Sequence, residues 1–168
     1  FDLNNRTSYN NLRQSVSMLL ALGVVPIFNE NDVVSTAMVR NQFGDNDTMS
    51  ALIASKIDAD LLILLTDIDG IYTGNPKKDS NAVLLPEINE LTPEIFSYAK
   101  GAGSTFSTGG MKTKLLAAQI AQKGGCGTVI ASGYEDDIIE RILSGNQAGT
   151  YILPAERLSQ RQRWILNT

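Results

Sequence analysis

With 168 residues, 43% of them hydrophobic and 19% charged, the chain has the size and balance of one compact domain and no signature of disorder. Its 14 basic and 18 acidic side chains give a formal charge of −4, which offers no general attraction to nucleic acid or to an anionic membrane. One cysteine rules out an internal disulfide, the lack of histidine removes the commonest general base and most zinc geometries, and no apolar run approaches the ~20 residues of a bilayer span.

Leu12, Val16, Leu19 and Leu20 form a helical stripe over Tyr9 to Leu22, and Gly23 is its stop signal. Val24 to Phe28 reads as a short buried strand delivering Asn29, Glu30, Asn31 and Asp32 at its C-terminal end, although Pro26 cannot donate to a ladder. Thr48 to Ile57 is predicted helical. Leu61 to Thr66 is predicted as a strand, and its apolar residues on both sides call for cover on both faces, hence a parallel sheet. The turn cluster Pro76 to Asn81 precedes a strand over Ala82 to Ile88, a candidate hairpin arm. A helix over Gly109 to Lys123, a strand over Thr128 to Ala131, a helix over Asp136 to Leu143 and a strand over Thr150 to Leu153 complete the series. Alternation at this spacing predicts an α/β fold with right-handed crossovers, whose ligands sit beyond the C-terminal strand ends.

Three segments carry candidate chemistry. Asp45-Asn46-Asp47 sets two carboxylates around an amide; it fails the calcium-loop pattern, and Asp47 is also placed to cap the following helix. Thr66-Asp67 stands at a strand end before the turn residue Gly70, which ordinary strand-turn chemistry also explains. The glycine-rich stretch Gly101 to Gly110 meets neither the dinucleotide fingerprint nor the usual phosphate-loop pattern. What remains is Thr108-Gly109-Gly110 at a helix start, where free amides and the helix dipole attract anions; a plain flexible loop is the other reading. Lys112 and Lys114 point to different sides of that helix. Lys112 projects toward solvent, whereas Lys114 shares its face with Ala117, Ala118 and Ala121. Lys114 is thus either a snorkelling surface lysine or a group able to reach a transferring phosphoryl. Cys126, between glycines and an apolar run, reads as a small buried residue.

In order, Val25 to Asp32, Phe43 to Asp47, Leu65 to Tyr72 and Thr108 to Lys114 resemble the motifs of the amino-acid kinase family, and Arg161 to Ile165 resembles its domain-closing stretch. The resemblance implies a three-layer αβα sandwich with a mainly parallel sheet. It also implies phosphorylation of the side-chain carboxylate of L-glutamate, using ATP and Mg2+, to give L-glutamyl 5-phosphate in the first step of proline synthesis. Relatives acting on acetylglutamate or aspartate, and a non-catalytic ligand-binding remnant, are the alternatives. By motif, Asp32 and Asn46 would bind the amino group and carboxylate of glutamate, and Asp45 would line the same pocket. Asp47 would hold the catalytic Lys114. Thr66 and Asp67 would border the nucleotide, and Thr108, Gly109, Gly110, Met111, Lys112, Thr113 and Lys114 would surround its phosphates. No residue is assigned to a metal. A cytoplasmic homo-oligomer goes with the same resemblance.

Two departures accompany the match: Ser107 replaces a usual glycine, and Asn41-Gln42 forms a small insertion. The chain opens on Phe1, and the first strand, further lysine, glycine loop and serine expected from the family's N-terminal half do not occur in it. Residues 1–168 are therefore expected to be part of a kinase domain, comprising its nucleotide-binding half and part of the substrate site, and to be inactive in isolation.

Overall fold

The computed structural model describes residues 6–29, 46–76, 78–99 and 110–156. The first element, helix α1 (Arg6–Ala21), buries Leu12 and Val16. It ends in a Schellman closure: Val24 N–H donates to Leu19 O at 2.9 Å and Gly23 N–H to Leu20 O at 3.0 Å, with Gly23 at φ +73°. Glycine is the residue that adopts this left-handed position at least cost. Arg13 ties the helix to Asp58 at 2.7 Å.

The strand expected over Val24 to Phe28 is not present. The segment joins no ladder among the described residues, and Ile27 is 94% exposed. Apolar composition alone does not make a strand; a neighbouring backbone must complete the ladder, and Pro26 has no N–H to offer one. Pro26, Ile27 and Phe28 instead line a groove with Leu12, Val16 and Leu19 of α1.

Helix α2 (Asn46–Lys56) leads into strand β1 (Leu61–Thr66), as expected. Residues 71–73 and 83–85 then form antiparallel contacts, with a bridge between Tyr72 and Leu84, which is the anticipated hairpin arm. Pro86 interrupts that arm, and only Glu87–Ile88 continues as strand β2. Helix α3 (Pro93–Tyr98) follows, a short element not predicted above; Thr92 accepts from Ile95 N–H, Pro93 opens the first turn and Glu94 lies within it. Helix α4 (Met111–Lys123), strand β3 (Gly127–Ser132), helix α5 (Ile138–Leu143) and strand β4 (Thr150–Ile152) complete the described chain.

The sheet runs β1-β3-β4-β2. Strands β1 and β3 are parallel in a register that pairs Leu61 with Gly127 and Thr66 with Ser132, and β2 and β4 are also parallel. Strands β3 and β4 are antiparallel, and the connection over 133–149 that joins them carries the short helix α5. Alternation divides the sheet cleanly. Leu62, Leu64, Ile130 and Ile152 face a core shared with alanines of α2 and α4, while Val129 and Ala131 face Ile138 and Ile142 of α5, with Leu61 and Ile63 packed alongside. Both sheet faces carry helices, which gives the expected αβα layering.

One buried amide locks the end of α4 to the sheet. Gln122 Nε2 donates to Asn89 O at 3.0 Å and to Leu153 O at 2.8 Å, joining the segments that follow β2 and β4. Replacing Gln122 by Met keeps the volume but strips both carbonyls of a buried donor. Gln122→Met should lower unfolding free energy by ~2–4 kcal/mol in urea titration, whereas the exposed neighbour Lys123→Met should stay within ~0.5 kcal/mol.

Candidate active site

Short connections decide where the helix ends lie. Four residues, Ile57 to Asp60, join α2 to β1, and three, Gly124 to Cys126, join α4 to β3. Each helix must therefore run back against the strand that follows it. A helix of 13 residues, such as α4, and a strand of six, such as β3, both span ~20 Å. The N-termini of α2 and α4 consequently gather at the edge where β1 and β3 end, beside Thr66 and Ser132.

At that edge Lys114 Nζ meets Asp47 Oδ2 at 2.8 Å, across 67 residues of sequence. Asp47 lies in the first turn of α2 and Lys114 in the first turn of α4. Lys114 is only 8% exposed and lies in the face formed by Met111, Leu115, Ala117, Ala118 and Ala121, all buried. It is not a solvated surface lysine. Two helix N-termini carry partial positive charge here, and the ammonium adds a full one; the carboxylate compensates them. Asp47 does more than a helix cap requires, since its carboxylate reaches across to the neighbouring helix.

Gly110 is the N-cap residue of α4 and makes no side-chain cap. Thr113 donates its hydroxyl to Gly110 O at 2.7 Å and its backbone N–H to the same oxygen at 2.9 Å, tightening the turn. The amides of Met111 and Lys112 precede the first intrahelical acceptor, and a Cβ added at Gly110 would meet nothing within 4 Å among the described residues, which leaves room there for a ligand oxygen. Thr66 and Asp67 stand at the end of β1. Thr66 donates to Asp67 Oδ1 at 3.1 Å, and Thr66 O accepts from Gly133 N–H at 2.8 Å.

The sequence model of the Amino acid kinase family matches residues 1–132. The chain belongs to this family. It is similar to glutamate 5-kinase of Moorella thermoacetica, with 52% identity over 165 residues, covering 98% of this chain and 43% of that protein. It is also similar to glutamate 5-kinase of Methanococcoides burtonii, with 49% identity over 163 residues, covering 96% of this chain and 44% of that protein. The chain thus spans less than half the length of these curated relatives. Among solved structures, the UMP kinase of Bacillus anthracis superimposes with a TM-score of 0.59 at 19% identity, covering 87% of this chain and 52% of that one. The UMP kinase of Ureaplasma parvum gives 0.55 at 16%, covering 84% and 52%. At such identities these two share the amino acid kinase fold, and nothing finer is drawn from them.

Of the residues that family resemblance singles out, Asp47 and Lys114 are in contact. Gly110, Met111, Lys112 and Thr113 lie on the first turn of α4 or at its cap, and Thr66 and Asp67 on the facing strand end. Asn46 opens α2, exposed, with its carbonyl accepting the Ser50 hydroxyl at 2.7 Å. Met111 buries its side chain in the core, while Lys112 is exposed as anticipated. Asp32, Asp45, Thr108 and Gly109 lie outside the described residues. Cys126 is buried, its thiol against Gly127 O at 3.3 Å.

Two residues escaped the sequence reading. Lys56, in the last turn of α2, is 3% exposed, and burial lowers its pKa from the ordinary lysine value. Thr150, the first residue of β4, is fully buried and bonded to the chain beyond Gly70. Neither a lysine at a helix end nor a threonine in a strand announces burial in sequence, although the preceding Gly149 was a visible cue to a special backbone.

No group of three or more acidic, histidine or cysteine side chains that could hold a metal occurs among the described residues.

Removing one half of the Asp47–Lys114 pair leaves a nearly buried charge without compensation. Asp47→Ala should destabilise the protein by ~2–4 kcal/mol, and Lys114→Met added to it should recover part of that loss. Thermal or urea unfolding of the single and double variants checks this; a double variant worse than Asp47→Ala would contradict it.

Proposed function

We propose that the chain is the nucleotide-binding half, with part of the substrate site, of an ATP-dependent kinase. Its acceptor is the side-chain carboxylate of L-glutamate and its product L-glutamyl 5-phosphate, the entry to proline biosynthesis. The observation that carries this is the buried Lys114–Asp47 contact at the meeting point of two helix N-termini. High similarity to two proteins named glutamate 5-kinase supports the choice of acceptor.

The chemistry suits what these residues can do. A side-chain carboxylate with pKa ≈ 4.3 is ionised at neutral pH and is already a nucleophile, so no general base is needed and a chain without histidine loses nothing. The protein's work is alignment and stabilisation of charge on the transferring phosphoryl oxygens. Lys114 supplies a preset cation for those oxygens. Asp47 fixes its direction, so a flexible side chain need not be ordered at each turnover. Gly110, the amides of Met111 and Lys112, and Thr113 bear on the phosphates together with Thr108 and Gly109. Thr66 and Asp67 border the nucleotide. Asp32, Asn46 and Asp45 hold the acceptor. Magnesium accompanies ATP and shields its phosphate charge when bound. A small-molecule substrate, a homo-oligomeric assembly and a cytoplasmic setting belong to the same reading, with no nucleic-acid or membrane partner.

The test is acyl phosphate formation by the full-length protein containing these residues, trapped as hydroxamate, with L-glutamate, aspartate and acetylglutamate as rival acceptors. Glutamate should be strongly preferred. Lys114→Ala should reduce kcat by ~10²–10³, as expected for loss of a preorganised donor, with the glutamate KM little changed. Near-normal kcat in that variant would remove Lys114 from the mechanism. Preference for another acid would transfer the reading to that acceptor, and ATP binding without turnover on any of the three would favour a ligand-binding role.

A further inference from the structure

Behind the Thr66–Asp67 edge the backbone ladder contains a side chain where a direct bond would be expected. Leu85 N–H donates to Ile71 O at 2.8 Å, and Thr73 N–H to Val83 O at 3.0 Å, as in an antiparallel pair. In such a pair the reciprocal bond would run from Ile71 N–H to Leu85 O. Instead, Ile71 N–H donates to Thr150 Oγ1 at 2.8 Å, and that hydroxyl donates to Leu85 O at 2.7 Å. Thr150 thus relays one ladder bond from a third strand. It is fully buried, and its own backbone is paired with Ile130 in the sheet.

We infer that Thr150 is a positioning residue for the nucleotide edge: its relayed hydroxyl anchors the Asp67–Gly70 turn so that Thr66 and Asp67 face the ligand. The inference rests on the assignment of those two residues to the nucleotide border. The turn has two fixed ends. At one, Thr66 O accepts from Gly133 N–H at 2.8 Å; at the other, Ile71 N–H is held by Thr150. Between them the side-chain ties are local: Thr66 donates its hydroxyl to Asp67 Oδ1 at 3.1 Å, and Tyr72 donates its hydroxyl to Asp69 Oδ2 at 2.8 Å, which also holds the phenol's pKa above its ordinary value. Gly70 permits the close approach: a Cβ there would stand 2.7 Å from Thr150 Oγ1 and 2.7 Å from Leu84 Cδ1. Only a hydroxyl can accept and donate at one atom in this space. Serine preserves that function. Valine, of the same shape, would leave a buried N–H and a buried carbonyl facing a methyl group.

The experiment uses the full-length protein and measures ATP binding by calorimetry, which needs no acceptor, alongside both substrate KM values and melting temperature. Thr150→Ser should bind ATP within about twofold of the parent, whereas Thr150→Val should bind it about tenfold more weakly, the scale of one lost hydrogen bond, with the glutamate KM unchanged. Gly70→Ala, which presses on the same hydroxyl, should shift ATP binding in the same direction and supplies the comparison if Thr150→Val does not fold. A purely structural threonine would lower the melting temperature and leave both affinities intact. Parental ATP affinity in folded Thr150→Val or Gly70→Ala, equal weakening for both substrates, or failure of serine to restore binding would each overturn the inference. Turnover of a different acid would leave it standing, while a parent that binds no ATP would remove it together with the nucleotide border.

Discussion

The contact between Asp47 and Lys114 organises this molecule because it is the point at which two helices, two strands and the candidate chemistry are forced into agreement. A lysine ammonium at 8% exposure is costly in the absence of a partner, and more so beside two positive helix ends. The carboxylate meets that demand only if α2 and α4 lie side by side with their N-termini level. The short connections into β1 and β3 enforce this, and the parallel register of those strands fixes the level. Stability and the proposed function therefore draw on the same geometry here: a net gain from the ion pair is small, but its loss strands a charge.

The fold shows how much of this was readable beforehand. Helical stripes and short apolar runs located α1, α2, β1, α4, β3 and β4 within a few residues, because each has apolar surface that must be buried. The face shared by Lys114 and the alanines at 117, 118 and 121 was visible as helical spacing, and its burial follows directly from packing against the sheet. What spacing could not supply was partnership. Val24 to Phe28 has strand composition and no ladder, because pairing is decided by distant residues. The antiparallel return of β4 is set by pairing with β3, which no local pattern announces, and the helix signal over Asp136 to Leu143 overstated α5 at its start. Helix α3 carried its start signals in Thr92, Pro93 and Glu94, but its six residues leave no periodic stripe to read.

The site was legible in the same uneven way. Motif resemblance drew attention to Asp47, Lys114, Thr66 and Asp67, and three-dimensional structure adds why they can cooperate: one sheet edge collects them. It also supplies residues with no motif. Thr150 and Gln122 each satisfy two groups from separate segments through one side chain, and such bridging leaves no trace in local sequence because both partners are far away.

The seam between α2 and α4 has a mechanical consequence. Ala51 and Ala54 on one helix and Ala117, Ala118 and Ala121 on the other are all buried in the same core. Alanine has no rotamers to exchange, so this interface cannot adjust by repacking its side chains. The gap between the two helices is a property of their main chains. Any opening or closing stroke during a reaction cycle would carry the helix pair as one stiff lever, and adaptability to ligands of different shape would have to come from the loops at its tip.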